Sequence, residues 1–317
     1  MKRTLALFLS AALLLSLAAC RITKDTDITT KPDTTTAATT EPLQPGLPTL
    51  AQVTANWAWG VSNGSGDGPA THLAITGYAK DCDFAKLDLA VGPFGPAQVS
   101  YAGDKVGDPD IEPWYFANYD RVTGPQFSLE APIDVTTYQP VFFLVDSAAV
   151  GESLAPLQSR YDSDDFNYPS ASYEDIAKAE TLHPGRKIEE SQLLAAAQDG
   201  ARVCMFRFEN QEGGGLFSLV CFDGAKILAI DYTTDYVDED GAWWRVDLEA
   251  DDVGLLEPVL LCRTQEGILL IVTWVAPEGM LELILREKDG GLEEFSLGGW
   301  GYDSWGDEFY LNEYEED

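Results

Sequence analysis

The chain of 317 residues carries 53 acidic side chains against 20 lysines and arginines, so its formal net charge is -33 at pH 7. This charge excludes nucleic acid as a partner, and it excludes a basic patch that would hold the protein on anionic lipid. The region after residue 50 is long enough for one large or two ordinary domains, and we predict two.

The first twenty residues have the pattern of an export signal. Lys2 and Arg3 precede an apolar run that is too short and wrongly flanked for a spanning helix, so we predict a signal peptide over residues 1–19. The run ends in Leu-Ala-Ala-Cys at residues 17–20, which resembles the lipobox of bacterial lipoproteins. The resemblance implies that Cys20 is lipidated and begins the mature chain. It therefore implies an extracytoplasmic protein that is lipid-anchored to the membrane surface.

Residues 20–50 are predicted to be the lipidated cysteine and a disordered stalk. Thr and Pro dominate this segment, and large apolar side chains are almost absent. Such a composition cannot bury enough surface to offset the entropy lost on ordering. We expect an extended spacer that holds the folded part clear of the lipid headgroups.

Residues 51–169 are predicted to form a β-sandwich, because short β-rich runs alternate there with Gly, Pro and Asp. Two pieces resemble the first and last strands of bacterial immunoglobulin-like modules, which carry I-T-G near the start and F-S-L near the close. The residues that carry the resemblance are Ile75, Thr76, Gly77, Phe127, Ser128, Leu129 and Asp146. The resemblance covers about residues 71–150 and implies an immunoglobulin-like sandwich.

The stretch WGVSNGSGDG at residues 59–68 contains three motif-like spacings. Ser62 matches the G-x-S-x-G of a hydrolase elbow, but the glycines and proline that follow cannot form the helix that the elbow requires. A calcium loop that begins at Asn63 fails at its twelfth position, which is Ala74 instead of glutamate. Asn63 and Ser65 match the N-x-S acceptor for N-glycosylation, but that motif does not indicate glycosylation in a bacterial lipoprotein. We interpret the stretch as a turn between two strands.

Residues 170–200 are predicted to be a helical connector. Ser172 has the position of an N-cap before acidic residues, and Gly200 has that of a C-cap at the end of KIEESQLLAAAQDG. We expect two helical segments in this connector, SYEDIAKAETL at residues 172–182 and KIEESQLLAAAQDG at residues 187–200.

Residues 201–317 are predicted to form an antiparallel β-meander, because apolar residues there repeat every two positions between turn sequences. The turn in NQEGGG would place Cys204 opposite Cys221. A second turn, in DGAK, would continue the apolar face through Leu228, Ile230 and Tyr232. A third turn, in APEG, would place Trp274 opposite Leu281, Val272 opposite Leu283 and Leu270 opposite Leu285. One buried face then runs through three hairpins. A barrel and a sandwich both fit this pattern.

The folded part contains four cysteines. Opposed positions in a hairpin lie within disulfide range, so Cys204 and Cys221 would be neighbours. Either a disulfide or two packed thiols fits a buried face. Cys82 and Cys262 are expected to be unpaired.

Two clusters of aromatic and acidic residues are the candidate ligand-binding surfaces. Their aromatic members are Trp243, Trp244, Trp300, Tyr302 and Trp305. Aromatic faces beside carboxylates suit sugars, through stacking and hydrogen bonding. The alternative is that these rings only cover the ends of the sheet.

Asp235, Asp238 and Asp240 are candidate ligands for a weakly bound calcium ion, because carboxylates crowd in this loop. We predict no other cofactor. Two distant histidines and no C-x-x-C pair give no zinc ligand set, and the glycine-rich phosphate loops are absent from the sequence.

The sequence favours an all-β, membrane-anchored envelope lipoprotein of binding or structural type over an enzyme. Its expected partners are the membrane, through the lipid anchor, and a glycan or an envelope protein. The alternative is an envelope glycosidase, in which two carboxylates about 5–10 Å apart lie at the base of a cleft.

Overall fold

The computed structural model describes residues 46–64, 68–92, 94–110, 119–134, 141–161, 167–211, 214–235, 237–238, 241–242, 255–276 and 279–295. Antiparallel strands make up most of these residues, and the helices are short. The prediction of a mainly β protein is therefore confirmed. Within these ranges no helix has the length and apolar character needed to cross a bilayer.

Six strands form a closed barrel in the N-terminal half. They are β1 Trp57–Ser62, β2 Ala70–Tyr78, β3 Leu89–Gly92, β4 Gly95–Lys105, β5 Gly124–Ile133 and β6 Val141–Val145. The barrel order is β1-β2-β5-β4-β3-β6, and β6 pairs with β1 to close it. An immunoglobulin-like module divides its strands between two sheets, whereas these strands form one closed sheet. The immunoglobulin-like prediction is not confirmed.

Strand β1 of the barrel is buried on both faces. Trp57 and Trp59 lie outside the barrel wall, in a cluster shared with the C-terminal half. Ala58 lies in the barrel core. At Gly60 a Cβ atom would come within 3.1 Å of the Ile75 side chain, so a small residue is needed where the strands crowd. Large and small residues therefore alternate with the period of a strand.

Ten further strands form two five-stranded sheets. The distal sheet has the order β12-β11-β10-β9-β8, and the central sheet has the order β18-β17-β16-β15-β7. Their strands are β7 Leu154–Pro156, β8 Gln158–Ser159, β9 Ile188–Ala196, β10 Arg202–Gln211, β11 Gly214–Asp223, β12 Lys226–Thr234, β15 Leu255–Thr264, β16 Gly267–Ala276, β17 Gly279–Lys288 and β18 Gly291–Glu294. A two-stranded ladder joins β13 Val237–Asp238 to β14 Gly241–Ala242.

The central sheet is buried on both faces. One face packs against the barrel exterior, where Ile271 and Leu269 meet Trp57, Trp59 and Phe143. The other face packs against the distal sheet in a second cluster. The sequence left a barrel and a sandwich open for residues 201–317. The described residues of this region lie in two sheets that pack face to face, which is a sandwich. This burial explains why the sequence of β16, GILLIVTWVA, is almost continuously apolar.

Short helices lie at the edges of these layers: α1 Leu50–Val53, α2 Ser147–Val150 and α3 Tyr173–Ala179, with 3-10 turns at Phe84–Lys86 and Gly151–Ser153. The amide of Leu50 donates to the carboxylate of Glu266 at 2.7 Å. The amide of Gln265 donates to the carbonyl of Pro48 at 2.9 Å. The chain therefore enters the fold along the β15–β16 turn.

The predicted helical connector is only half correct. Helix α3 is present, and the Ser172 side chain caps it by accepting from the amide of Asp175 at 3.1 Å. The second helix is wrong, because Ile188–Ala196 is strand β9 and pairs with β10. Burial between neighbouring strands outweighs the helix propensity of its alanines. Gly200, with a φ of 95°, lies in the β9–β10 turn instead of ending a helix.

The register predictions have mixed outcomes. The second and third hairpins are confirmed, since Leu228 pairs with Cys221 and Trp274 pairs with Leu281. The first is wrong by one residue: Cys204 pairs with Val220, while Val203 pairs with Cys221. An irregularity between Phe208 and Gln211 shifts the ladder after a correctly centred turn.

This shift places Cys204 and Cys221 on opposite faces of the distal sheet. Cys221 packs between the two sheets, and Cys204 packs under α3. Cys82, Cys204, Cys221 and Cys262 are all free thiols. Burial raises the pKa of Cys204 and of Cys221 to about 12, so both behave as small apolar residues.

Candidate functional site

Most of the residues that the sequence singled out for function lie outside the described residues. These are Cys20, Trp243, Trp244, Trp300, Tyr302, Trp305 and Asp240. Asp235 is exposed after β12, and Asp238 lies in the short β13 strand. Across the described ranges, no three side chains of the His, Cys, Asp and Glu types gather in a metal-binding group.

Of the stretch at residues 59–68, residues 59–62 belong to β1, residues 63, 64 and 68 lie between β1 and β2, and residues 65–67 lie outside the described residues. The Asn63 side chain accepts from the amides of Thr71 and His72, each at 2.8 Å, and so connects the end of β1 to the start of β2. Ser62 is fully buried, and within the described part of the chain its hydroxyl has no hydrogen-bond partner. A nucleophile must reach its substrate, so the position of Ser62 agrees with the rejection of a hydrolase elbow.

Three aromatic rings form a partly exposed surface on the barrel, which we call the aromatic surface: Tyr78, Phe84 and Tyr101. The Phe84 ring stacks on Tyr101 with centroids 5.9 Å apart, and it meets the Tyr78 ring edge-on at 5.0 Å. Tyr78 and Tyr101 keep 41% and 40% of their surface exposed. The rings of Phe84 and Tyr101 lie against the buried Phe127, so a residue of the barrel core supports both of them.

A carboxylate lies at the edge of the aromatic surface. The Tyr101 hydroxyl donates to Asp104 at 2.8 Å, and this hydrogen bond is the main reason why the pKa of Tyr101 is raised. A ladder irregularity between Tyr101 and Gly103 brings the two groups together, with Gly103 at a φ of 97°. The surface thus offers ring faces beside an acceptor. Its three rings come from separate segments, so no spacing in the sequence reveals it.

A serine, a histidine and an aspartate meet on the distal sheet. Ser218 and Asp231 are paired across β11 and β12, and His183 lies over them from the segment after α3. In a catalytic triad the serine and the aspartate contact opposite ring nitrogens of the histidine. Here both contact the same atom, Nε2 of His183, at 3.2 and 3.1 Å. The arrangement is therefore not a hydrolase triad.

Glu257 is a partly buried acid on the central sheet. It stands opposite Thr273, and Thr273 in turn stands opposite Glu282. Burial raises the pKa of Glu257 to about 7, so the protonated form is well populated at neutral pH. A carboxylic acid with such a pKa can act as a general acid.

A cleft of about 320 Å³ lies where the β15–β16 turn meets β17. Its charged groups are all occupied: Glu266 binds the amide of Leu50, Glu287 binds Lys226, and Arg286 and Lys288 both bind Glu293. A ligand would have to displace these ion pairs. The cleft is therefore a weak candidate for a binding site.

No protein-family model, curated protein or solved structure matches this chain.

Proposed function

We propose that this chain is a lipid-anchored protein of the cell envelope that binds a glycan. The export signal over residues 1–19, the lipobox cysteine Cys20 and the Thr- and Pro-rich stalk support the location. They describe a folded part held at a distance from a membrane surface. The net charge of -33 supports solubility in that setting.

The aromatic surface is the observation that carries glycan binding. Sugars present apolar C–H faces that stack on aromatic rings, and hydroxyls that donate to carboxylates. Tyr78 and Tyr101 offer partly exposed rings, and Asp104 offers an acceptor beside them. An open surface of this kind suits a binding protein better than an enzyme, which needs a cleft. Trp243, Trp244, Trp300, Tyr302 and Trp305 remain further candidates.

The test is binding of the full-length chain, in detergent, to peptidoglycan fragments and to soluble amino-sugar oligosaccharides. We expect Tyr101→Ala to weaken binding about 3- to 10-fold, the effect of losing one stacked ring. The matched control is Tyr173→Ala, because Tyr173 lies on α3 and is 93% exposed. Absence of glycan binding, or equal affinity of the Tyr101 and Tyr173 variants, would contradict the proposal.

The alternative function, a glycosidase with paired carboxylates, has one observation in its favour. The row Glu257, Thr273, Glu282 spans three adjacent strands, so its two glutamates have backbones about 10 Å apart. The pKa of Glu257, raised by burial to about 7, suits the acid of such a pair. The same oligosaccharide probes test this alternative, since an enzyme would shorten them and a binding protein would leave their length unchanged.

A further inference from the structure

The aromatic surface lies at an open end of the barrel. Tyr78 is paired with Ala58 and Tyr101 is paired with Phe127, and both partners belong to the barrel core. Paired residues on neighbouring strands face the same side of a sheet, so the two tyrosines continue the inner face of the barrel. Both are exposed, and Phe84 contacts both rings. The aromatic surface is therefore a mouth of the barrel, which is a common position for a ligand site.

A break in the strand ladder places a carboxylate at this mouth. Residues three apart on a regular strand face opposite sides, but the irregularity between Tyr101 and Gly103 brings Asp104 to the side of Tyr101. The Tyr101 hydroxyl donates to Asp104 at 2.8 Å, and Asp104 is exposed. A phenol that donates to a carboxylate is polarised by it, which strengthens the attraction of its ring face for a cation.

The lysine next to Asp104 in sequence is engaged elsewhere. The ammonium group of Lys105 lies 4.0 Å from the centroid of the Tyr119 ring and donates to the Tyr119 carbonyl. Among the residues that the structure describes, no lysine or arginine forms an ion pair with Asp104. The mouth therefore combines ring faces with a carboxylate that has no cationic partner in the described part of the chain.

Two further lysines lie close in sequence to the rings, and each stands beside an acid. Lys86 pairs with Asp83 at 3.4 Å, and the exposed Lys80 is followed by the exposed Asp81. These lysines and acids cancel in net charge, so the charge of Asp104 remains in excess. The formal net charge of -33 adds a field of the same sign, which attracts cations to the chain.

We propose that the aromatic surface binds a positively charged amino group, so that its ligand is an amino sugar with free amines instead of N-acetyl groups. This inference rests on the proposed function, because it names the class of glycan that the same surface binds. An ammonium group is attracted to tyrosine ring faces, and its hydrogen bond to a carboxylate is stronger than a neutral one. N-acetylation removes the charge and leaves mainly the stacking of the sugar on the rings.

The test is calorimetric titration of the full-length chain, in detergent at low salt, with two oligosaccharides of equal length. One is a glucosamine oligomer with free amines, and the other is its fully N-acetylated counterpart. At about pH 6 the amines are protonated and an exposed aspartate is ionised. We expect the free-amine oligomer to bind about 3- to 10-fold more tightly. Added salt should reduce this preference, because it screens exposed charges.

Asp104→Asn is the deciding variant, because the asparagine amide oxygen can still accept from Tyr101 while the negative charge is removed. We expect it to weaken binding of the free-amine oligomer more than binding of the N-acetylated one, so that the preference is lost. The matched control is Glu180→Gln, which removes one exposed carboxylate where α3 ends on the distal sheet. This control should keep the preference.

The outcomes separate this inference from the proposed function. A preference that survives Asp104→Asn, or that is lost equally with Glu180→Gln, belongs to the overall charge of the chain and overturns the inference. Equal or tighter binding of the N-acetylated oligomer by the unaltered chain also overturns it and leaves glycan binding intact. Absence of binding of both oligomers contradicts the proposed function, and the inference with it.

Discussion

Phe217→Ala should lower the free energy of unfolding by about 3–5 kcal/mol. Phe217 is fully buried where the distal sheet packs against the central sheet. Its ring stacks on Tyr232 with centroids 4.7 Å apart and meets Trp274 edge-on at 5.9 Å. Alanine would remove most of this contact and leave a cavity between two rigid sheets. Urea unfolding followed by circular dichroism measures the effect.

Tyr232→Phe is the matched control, because it keeps the stacked pair. The Tyr232 hydroxyl is buried and has no hydrogen-bond partner among the residues that the structure describes, so its removal should change the free energy of unfolding by less than about 1 kcal/mol. A loss below about 1 kcal/mol for Phe217→Ala would contradict close packing of the two sheets at this point.

Arg202→Ala should lower the free energy of unfolding by about 2–3 kcal/mol, because it leaves the carboxylate of Asp175 buried without its positively charged partner. The Asp175 side chain is 2% exposed, and Arg202 holds both of its oxygens, at 2.7 and 3.1 Å. The Arg202 side chain is about one-third exposed, so water screens the pair and the expected loss is smaller than for a fully buried ion pair.

The effect of Arg202→Ala should also depend on pH. Burial alone would raise the pKa of Asp175, but hydrogen bonds from Arg202 and Ser172 outweigh it and hold that pKa below its usual value. An aspartate whose pKa is lower in the folded than in the unfolded protein stabilises the fold at any pH above its pKa in the unfolded protein, about 3.9. This stabilisation is lost as the pH falls through the lower pKa of the folded protein. The difference in free energy of unfolding between the unaltered chain and Arg202→Ala should therefore become smaller below about pH 4.

Lys178→Ala is the control on the same helix. Lys178 and Glu174 form an exposed ion pair at 2.7 Å, four residues apart on α3. A solvent-exposed pair of this kind contributes little to stability, because water and salt screen it. A loss for Arg202→Ala no larger than that for Lys178→Ala would contradict a buried role for the Asp175 pair.

The apolar pattern predicts strands where the two faces of a strand differ, or where a tight turn sets the register. The β16–β17 hairpin, with Trp274 opposite Leu281, meets the second condition and was predicted correctly. In β10 both faces are buried, so Cys204 and Val203 are equally acceptable on either side. The pattern there cannot detect the irregularity between Phe208 and Gln211, which shifts the register by one residue.

Local propensity failed where tertiary pairing decided the structure. The alanines of β9 favour a helix, but Ala195 and Ala196 are buried between β8 and β10. The aromatic surface could not be predicted for a related reason. Its rings come from a strand, a 3-10 turn and a second strand, and the contacts of Phe84 with Tyr78 and Tyr101 depend on the path of the chain between them. The register of the β11–β12 hairpin does pair Ser218 with Asp231, but it gives no reason to expect His183 beside them.

Membrane attachment through Cys20 is the claim on which the account of function depends. The direct measurement is the mass and detergent partitioning of the chain expressed in bacteria, compared with Cys20→Ala. We expect the unaltered chain to enter the detergent phase, with a mass that lacks residues 1–19 and includes a diacylglyceryl group, and the variant to be released or to keep its signal. A Cys20→Ala chain that is processed normally and still partitions fully into detergent would contradict the account.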